Sequence, residues 1–272
     1  MKPSTVIAAG LAALSLSACV GTPAAYEPTA VKTVNDHKGY LTREQIQALA
    51  AAVPPPPTAG SAEEAADHSL SDTYRSLENT DRWWLATSHA EVRSPYALQH
   101  FDCALGVRFD PAREQTPASA RLLQRLFEDA EAASSLVKLR AYRARPVGDD
   151  PQRAACQTVS ANGRASASYP SGSASVAAAY GAAMAEIAPD TAEAAKKAGH
   201  DIASSRAICG MHYPRDVAAG EALGQALFAL AGQTPAFQAD LAAARTEVAN
   251  LRASGATNPG CAAERAALLQ TP

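Results

Sequence analysis

From Ala62 onward the apolar residues of this chain recur at spacings of three and four, with few runs of β-branched residues. A helix turns once every 3.6 residues, so such spacing stacks apolar side chains on one face, whereas a strand would need strict alternation. The pattern therefore predicts an all-α fold, with helices over Pro117–Leu139, Ser173–Ile187, Asp190–Ser204, Pro214–Ala231 and Pro235–Ser254. Thr116 is a suitable N-cap for the first of these, and Pro117 suits its first position. Gly232 and Gly255 follow the last two as stop signals. Helices this rich in alanine can approach closely, which favours a single compact bundle over residues 62–272. No internal repeat and no convincing strand interrupts the pattern.

The chain is 47% hydrophobic and 19% charged. That is too apolar for a disordered protein and too mixed for a polytopic membrane protein. A formal charge of −3 argues against a broad nucleic-acid surface, which needs clustered Lys and Arg. The beginning of the chain reads differently. Lys2 precedes an apolar run from Val6 to Leu16, which is about half the length needed to span a bilayer. The run ends in Leu16-Ser17-Ala18-Cys19, a lipobox-like sequence. Residues 1–18 are therefore expected to be a signal peptide of the lipoprotein type, with Cys19 acylated and the domain held in the periplasm at the outer membrane. Ordinary secretion with cleavage near Ala18 is the alternative.

Residues 19–61 carry little apolar periodicity and include Pro54-Pro55-Pro56-Pro57, a stiff spacer in extended polyproline form. They are expected to form a tether, with one short helix around Thr42 to Val53. Beyond Cys19 there are four cysteines: Cys103, Cys156, Cys209 and Cys261. An even count in an exported chain suggests disulfides, and the sequence does not choose among the three pairings. No Cys-x-x-Cys pair is present, which disfavours a zinc or redox site.

Three motifs carry the chemistry. Lys138 is followed after six residues by Arg145-Pro146. Tyr169-Pro170-Ser171-Gly172-Ser173 opens a helix. Ser205-Arg206 is followed after five residues by His212 and after three more by Asp216. Arg presents a planar fork to phosphate oxygens and Lys a point charge. A Ser-Gly turn at a helix start offers free N–H groups and the positive end of a helix dipole. Together, Lys138, Arg145, Ser171, Gly172, Ser173 and Arg206 read as a phosphate-binding set. His212 stands beside this set, and Asp216, four residues on, could accept a hydrogen bond from one nitrogen of its ring.

In order and spacing these motifs resemble the signature of the bacterial class A non-specific acid phosphatases, in the superfamily of type 2 phosphatidic acid phosphatases and vanadium haloperoxidases. The likeness extends more loosely from about Asp81 to Ala244. It implies an all-helical bundle of that type. It also implies that His212 is the nucleophile and Asp216 the residue that orients it, and that small-molecule phosphate monoesters are hydrolysed through a phosphohistidine on His212, with no metal or other cofactor. One position departs from the pattern: Ser173 stands where the family carries the His that protonates the leaving group. His89, His100 and Tyr169 are candidates to supply that proton. Two other readings stay open, a phosphoester-binding lipoprotein that has lost turnover and a vanadate-dependent haloperoxidase. The only membrane contact expected is the lipid anchor, no nucleic-acid partner is expected, and a homo-oligomer is compatible with the sequence.

Overall fold

A computed structural model describes residues 37–272. The signal segment, the lipobox and Cys19 lie outside the described residues. Within them the chain is all-helical, with no strand. The longer helices fall where the periodicity puts them, with ends shifted by a few residues at most. α1 (Arg43–Ala52), α2 (Ala62–Thr73), α3 (Asp81–Ser88) and the short α4 (Asp102–Leu105) precede the long α5 (Pro117–Arg140). The brief α6 (Pro146–Asp149) and α7 (Ala161–Ala165) lead to α8 (Gly172–Ile187), α9 (Ala192–Ile208), α10 (Pro214–Ala231), α11 (Pro235–Ala253) and α12 (Cys261–Leu268).

The bundle is organised around α8, which packs on α9, α10, α5 and α11. Its Ala174, Val176, Ala177, Ala179, Tyr180, Ala183 and Met184 are all buried. A helix apolar on every side needs neighbours on every side. Small residues let those neighbours approach. A Cβ added to Gly220 or Gly224 of α10 would run into the backbone carbonyls of Ser171 and Ser175 on α8. Gly199 of α9 has Gly181 of α8 opposite it, its Cβ position 3.0 Å from the Gly181 Cα. Backbones in contact at these points fix the start of α8 against the start of α10, the two turns that carry the second and third motifs.

Two expectations change. Thr116 makes no side-chain cap on α5. The free N–H groups of that helix start are taken instead by Glu247 of α11, whose carboxylate accepts from Ala118 and Ser119 at 2.7 and 2.8 Å. A charged acceptor at a helix N-terminus also complements the dipole, which a neutral hydroxyl does not. Second, part of the segment read as tether is built into the bundle. Thr42 caps α1 as expected, but Tyr40, Leu41, Ile46, Leu49, Ala50 and Val53 all lie in the main core cluster. α1 packs on α5 and α10, and the carbonyl of Pro54 accepts a hydrogen bond from the Tyr169 hydroxyl at 2.8 Å.

The cysteines pair as Cys103–Cys261 and Cys156–Cys209. The first joins α4 to the start of α12. The second ties the loop after α6 to the end of α9, beside the third motif. Among the described residues no helix is long and apolar enough to cross a membrane.

Candidate active site

The three motifs meet at the N-terminal ends of α8 and α10. Ser171 is the N-cap of α8, its Oγ accepting from the N–H of Ala174 at 3.2 Å. That leaves the N–H groups of Gly172 and Ser173, at the first two positions of the helix, without an intrahelical acceptor. A Cβ on Gly172 would sit 3.0 Å from Ser134 Oγ and 3.7 Å from Lys138 Nζ. Glycine thus keeps open the space between this turn and the Lys138 ammonium. Burial next to Arg145 pulls Lys138 down to about 7. Such a cation gains most from a bound anion.

Arg206, near the end of α9, is buried. Its Nη2 donates to Gln157 Oε1 at 2.9 Å, while its Nε–H has no hydrogen-bond partner. Burial, with Arg145 nearby, lowers its guanidinium to about 10. Arg145 is the N-cap of α6. It is braced by Ser166 Oγ and by the carbonyls of Ala167 and Met211. Its Nη1 also lies 3.2 Å from His212 Nε2.

His212 sits in the turn between α9 and α10, only 3% exposed. Its Nδ1 lies 2.8 Å from the backbone carbonyl of Ser168. A carbonyl only accepts, so Nδ1 carries the proton and Nε2 presents its lone pair towards Arg145. Burial, reinforced by Arg145, Lys138 and Arg206, pushes the imidazole well below its ordinary range. That favours the neutral form of the ring.

Asp216 does not touch the His212 ring as expected. Ser168 stands between them: its hydroxyl donates to Asp216 Oδ2 at 2.6 Å, and its Oγ lies 3.3 Å from His212 Nδ1. The carboxylate also accepts from the Tyr213 N–H and from Arg143 Nη1. The same Arg143 nitrogen donates to Asp67 of α2. Asp216 is third in α10, where its place at the helix start engages the Tyr213 N–H and leaves the ring to the Ser168 carbonyl. Burial raises its pKa, with Arg143 opposing that shift. Asp216 thus reaches the His212 ring only through Ser168, at one remove.

Above these groups lies a cavity of about 270 Å³. Lys138, Gly172, Ser173 and Arg206 line it, as do Arg93, Phe127 and Glu131, while His212 and Arg145 do not. None of the three proton-donor candidates lines this cavity. Tyr169 is committed to Pro54, His89 Nδ1 lies against Ser205 Oγ, and His100 Nε2 lies on the Glu91 carbonyl. Burial lowers both imidazoles, His89 the more strongly. Sequence reasoning missed Ser168, Arg143, Asp67 and Gln157. The first two lie within two residues of a motif, and that proximity was their one available signal.

A helical bundle that gathers three buried cations and a neutral imidazole around a helix N-terminus defines a phosphate-handling enzyme of the acid phosphatase class. Sequence comparison makes the assignment more particular. The chain is 30% identical over 200 residues to an acid phosphatase of Zymomonas mobilis, covering 74% of this chain and 75% of the relative. It is 30% identical over 219 residues to a non-specific acid phosphatase of Providencia stuartii, covering 78% and 86%. A non-specific acid phosphatase of Salmonella typhi is 28% identical over 174 residues, covering 63% and 68%. This chain belongs to the bacterial non-specific acid phosphatase family and is an acid phosphatase. Among solved structures, a transmembrane PAP2-type phosphatidylglycerolphosphate phosphatase of Bacillus subtilis is similar, with a TM-score of 0.45 and 21% identity over 69% of this chain and 90% of that one. No protein-family profile matches the chain.

Proposed function

We propose that the protein hydrolyses small-molecule phosphate monoesters through a covalent phosphohistidine on His212 and without a metal ion. The observation that carries this reading is the neutral, buried imidazole whose Nε2 lone pair faces a pocket of cations. Lys138, Arg145 and Arg206, with the N–H groups of Gly172 and Ser173, hold the phosphoryl oxygens. Nε2 bonds to phosphorus as the ester P–O bond breaks, and the departing oxygen takes the electron pair. Water then displaces Nε2, which leaves inorganic phosphate and restores the imidazole. Three fixed cations supply the charge that a metal would otherwise bring, and they would repel a divalent cation from the same place.

Phosphate release from an aryl phosphate, followed across pH with and without EDTA, tests this. Lys138 is charged below its pKa and neutral above it, so kcat/KM should fall as pH rises through about 7. Lys138→Arg should remove the alkaline fall, because Arg keeps its charge. Loss of activity on chelation, restored by zinc or magnesium, would exclude the metal-free mechanism.

We further propose that the chain is exported and anchored by acylation of Cys19, from the lipobox after a short apolar run. Mass spectrometry of the mature N-terminus should find a diacylglyceryl Cys19. A start elsewhere, or an unmodified Cys19, would overturn the anchor.

A further inference from the structure

The cavity over Gly172 carries two charges that phosphate binding leaves unused. Glu131 lies on α5, two turns before Lys138, and its field reaches the Lys138 ammonium. Its carboxylate makes no hydrogen bond and no ion pair among the described residues. Arg93 also lines the cavity, its guanidinium 5.6 Å from the centroid of the Phe127 ring. It has no carboxylate partner either. The neighbouring Glu91 accepts from the Arg93 backbone N–H, at 2.7 Å.

An in-line attack from His212 sends the leaving alcohol away from the imidazole, and because Lys138, Gly172, Ser173 and Arg206 line the cavity we take it as the space that receives that alcohol. The alcohol would therefore meet one unpaired anion and one unpaired cation. A neutral alcohol satisfies neither, and an alcohol with a single charge is attracted by one and repelled by the other. At about 270 Å³ the cavity is below the usual range for drug-sized ligands. Resting on the phosphomonoesterase reading above, we propose that Glu131 and Arg93 select small monoesters whose alcohol carries both an ammonium and a carboxylate, the O-phospho-amino acid class. Glu131 takes the ammonium, Arg93 takes the carboxylate, and the Phe127 ring supports both.

The test uses the full chain carrying His212→Ala, titrated by calorimetry with O-phosphoserine, ethyl phosphate and inorganic phosphate. Exposed ion pairs contribute modestly, so O-phosphoserine should bind about 10-fold more tightly than ethyl phosphate. Adding Glu131→Gln or Arg93→Gln should each remove several-fold of that preference. O-phosphoethanolamine, which lacks the carboxylate, should respond to Glu131→Gln and lose nothing with Arg93→Gln. The ratio of kcat/KM for O-phosphoserine to that for ethyl phosphate, measured with unmodified His212, should follow the same order across the two variants. Equal affinities, or a ratio that neither variant moves, would overturn the proposal and leave the phosphatase reading intact. If inorganic phosphate and ethyl phosphate also fail to bind, the phosphate cradle itself is wrong and the rim proposal falls with it.

Discussion

Replacing Ser173 by His should raise kcat/KM on alkyl phosphates by about 10²-fold, the lower end of general-acid effects, and should change aryl phosphates far less. The serine hydroxyl is far too weak an acid to protonate a leaving oxygen near neutrality. None of His89, His100 and Tyr169 lines the cavity that Ser173 and Arg206 line. An alkoxide leaving unassisted carries most of its charge, so the unmodified enzyme should slow steeply as leaving-group pKa rises. A phenolate needs little help. Comparing kcat/KM across a series of alcohols is the right measurement, because it covers steps through the first irreversible one and slow hydrolysis of phosphohistidine cannot mask the trend. Similar rates on alkyl and aryl substrates in the unmodified enzyme would show that another group already delivers the proton.

The second large effect is loss of the nucleophile. His212→Ala should lower turnover of an aryl phosphate by at least about 10⁴-fold. Acid-quenched wild-type protein should carry a phosphoryl group on His212 during turnover, detectable by peptide mass spectrometry. The buried ring contacts Arg145 and Ser168, so inorganic phosphate binding is the control that the cradle survives the substitution. Residual turnover within tenfold of wild type, or a phosphoryl group on another residue, would exclude His212 as the attacking group.

Much of this site was legible in the sequence because each motif is local. Lys138 and Arg145 are seven residues apart, Ser171 and Gly172 are adjacent, and His212 and Asp216 span one turn. Short spacings keep such side chains close along the chain, although Arg145 and His212 lie in the connections between helices and outside any helical repeat. What escaped depends on contacts between distant segments. Asp67 reaches Asp216 through Arg143 from the far side of the motif region. The cap of α5 comes from Glu247, 129 residues beyond Ala118. Neither leaves a periodic trace. Residues 40–53 were misread for a related reason. Their few apolar side chains sit beside a proline run and lack a long repeat, yet they fill the groove between α5 and α10. Ser168 was hidden by the same locality that revealed the rest, since the short path from Asp216 to His212 suggested direct contact.

The early docking of the chain also sets a leash. With Tyr40 buried in the bundle, twenty residues, 20–39, separate it from the proposed acyl anchor at Cys19. Fully stretched, twenty residues reach at most roughly 70 Å. A spacer running to residue 61 would have roughly doubled the stretched length. If Cys19 carries the proposed acyl anchor, the enzyme would stay within roughly 70 Å of the bilayer and meet phosphoesters released at that surface first.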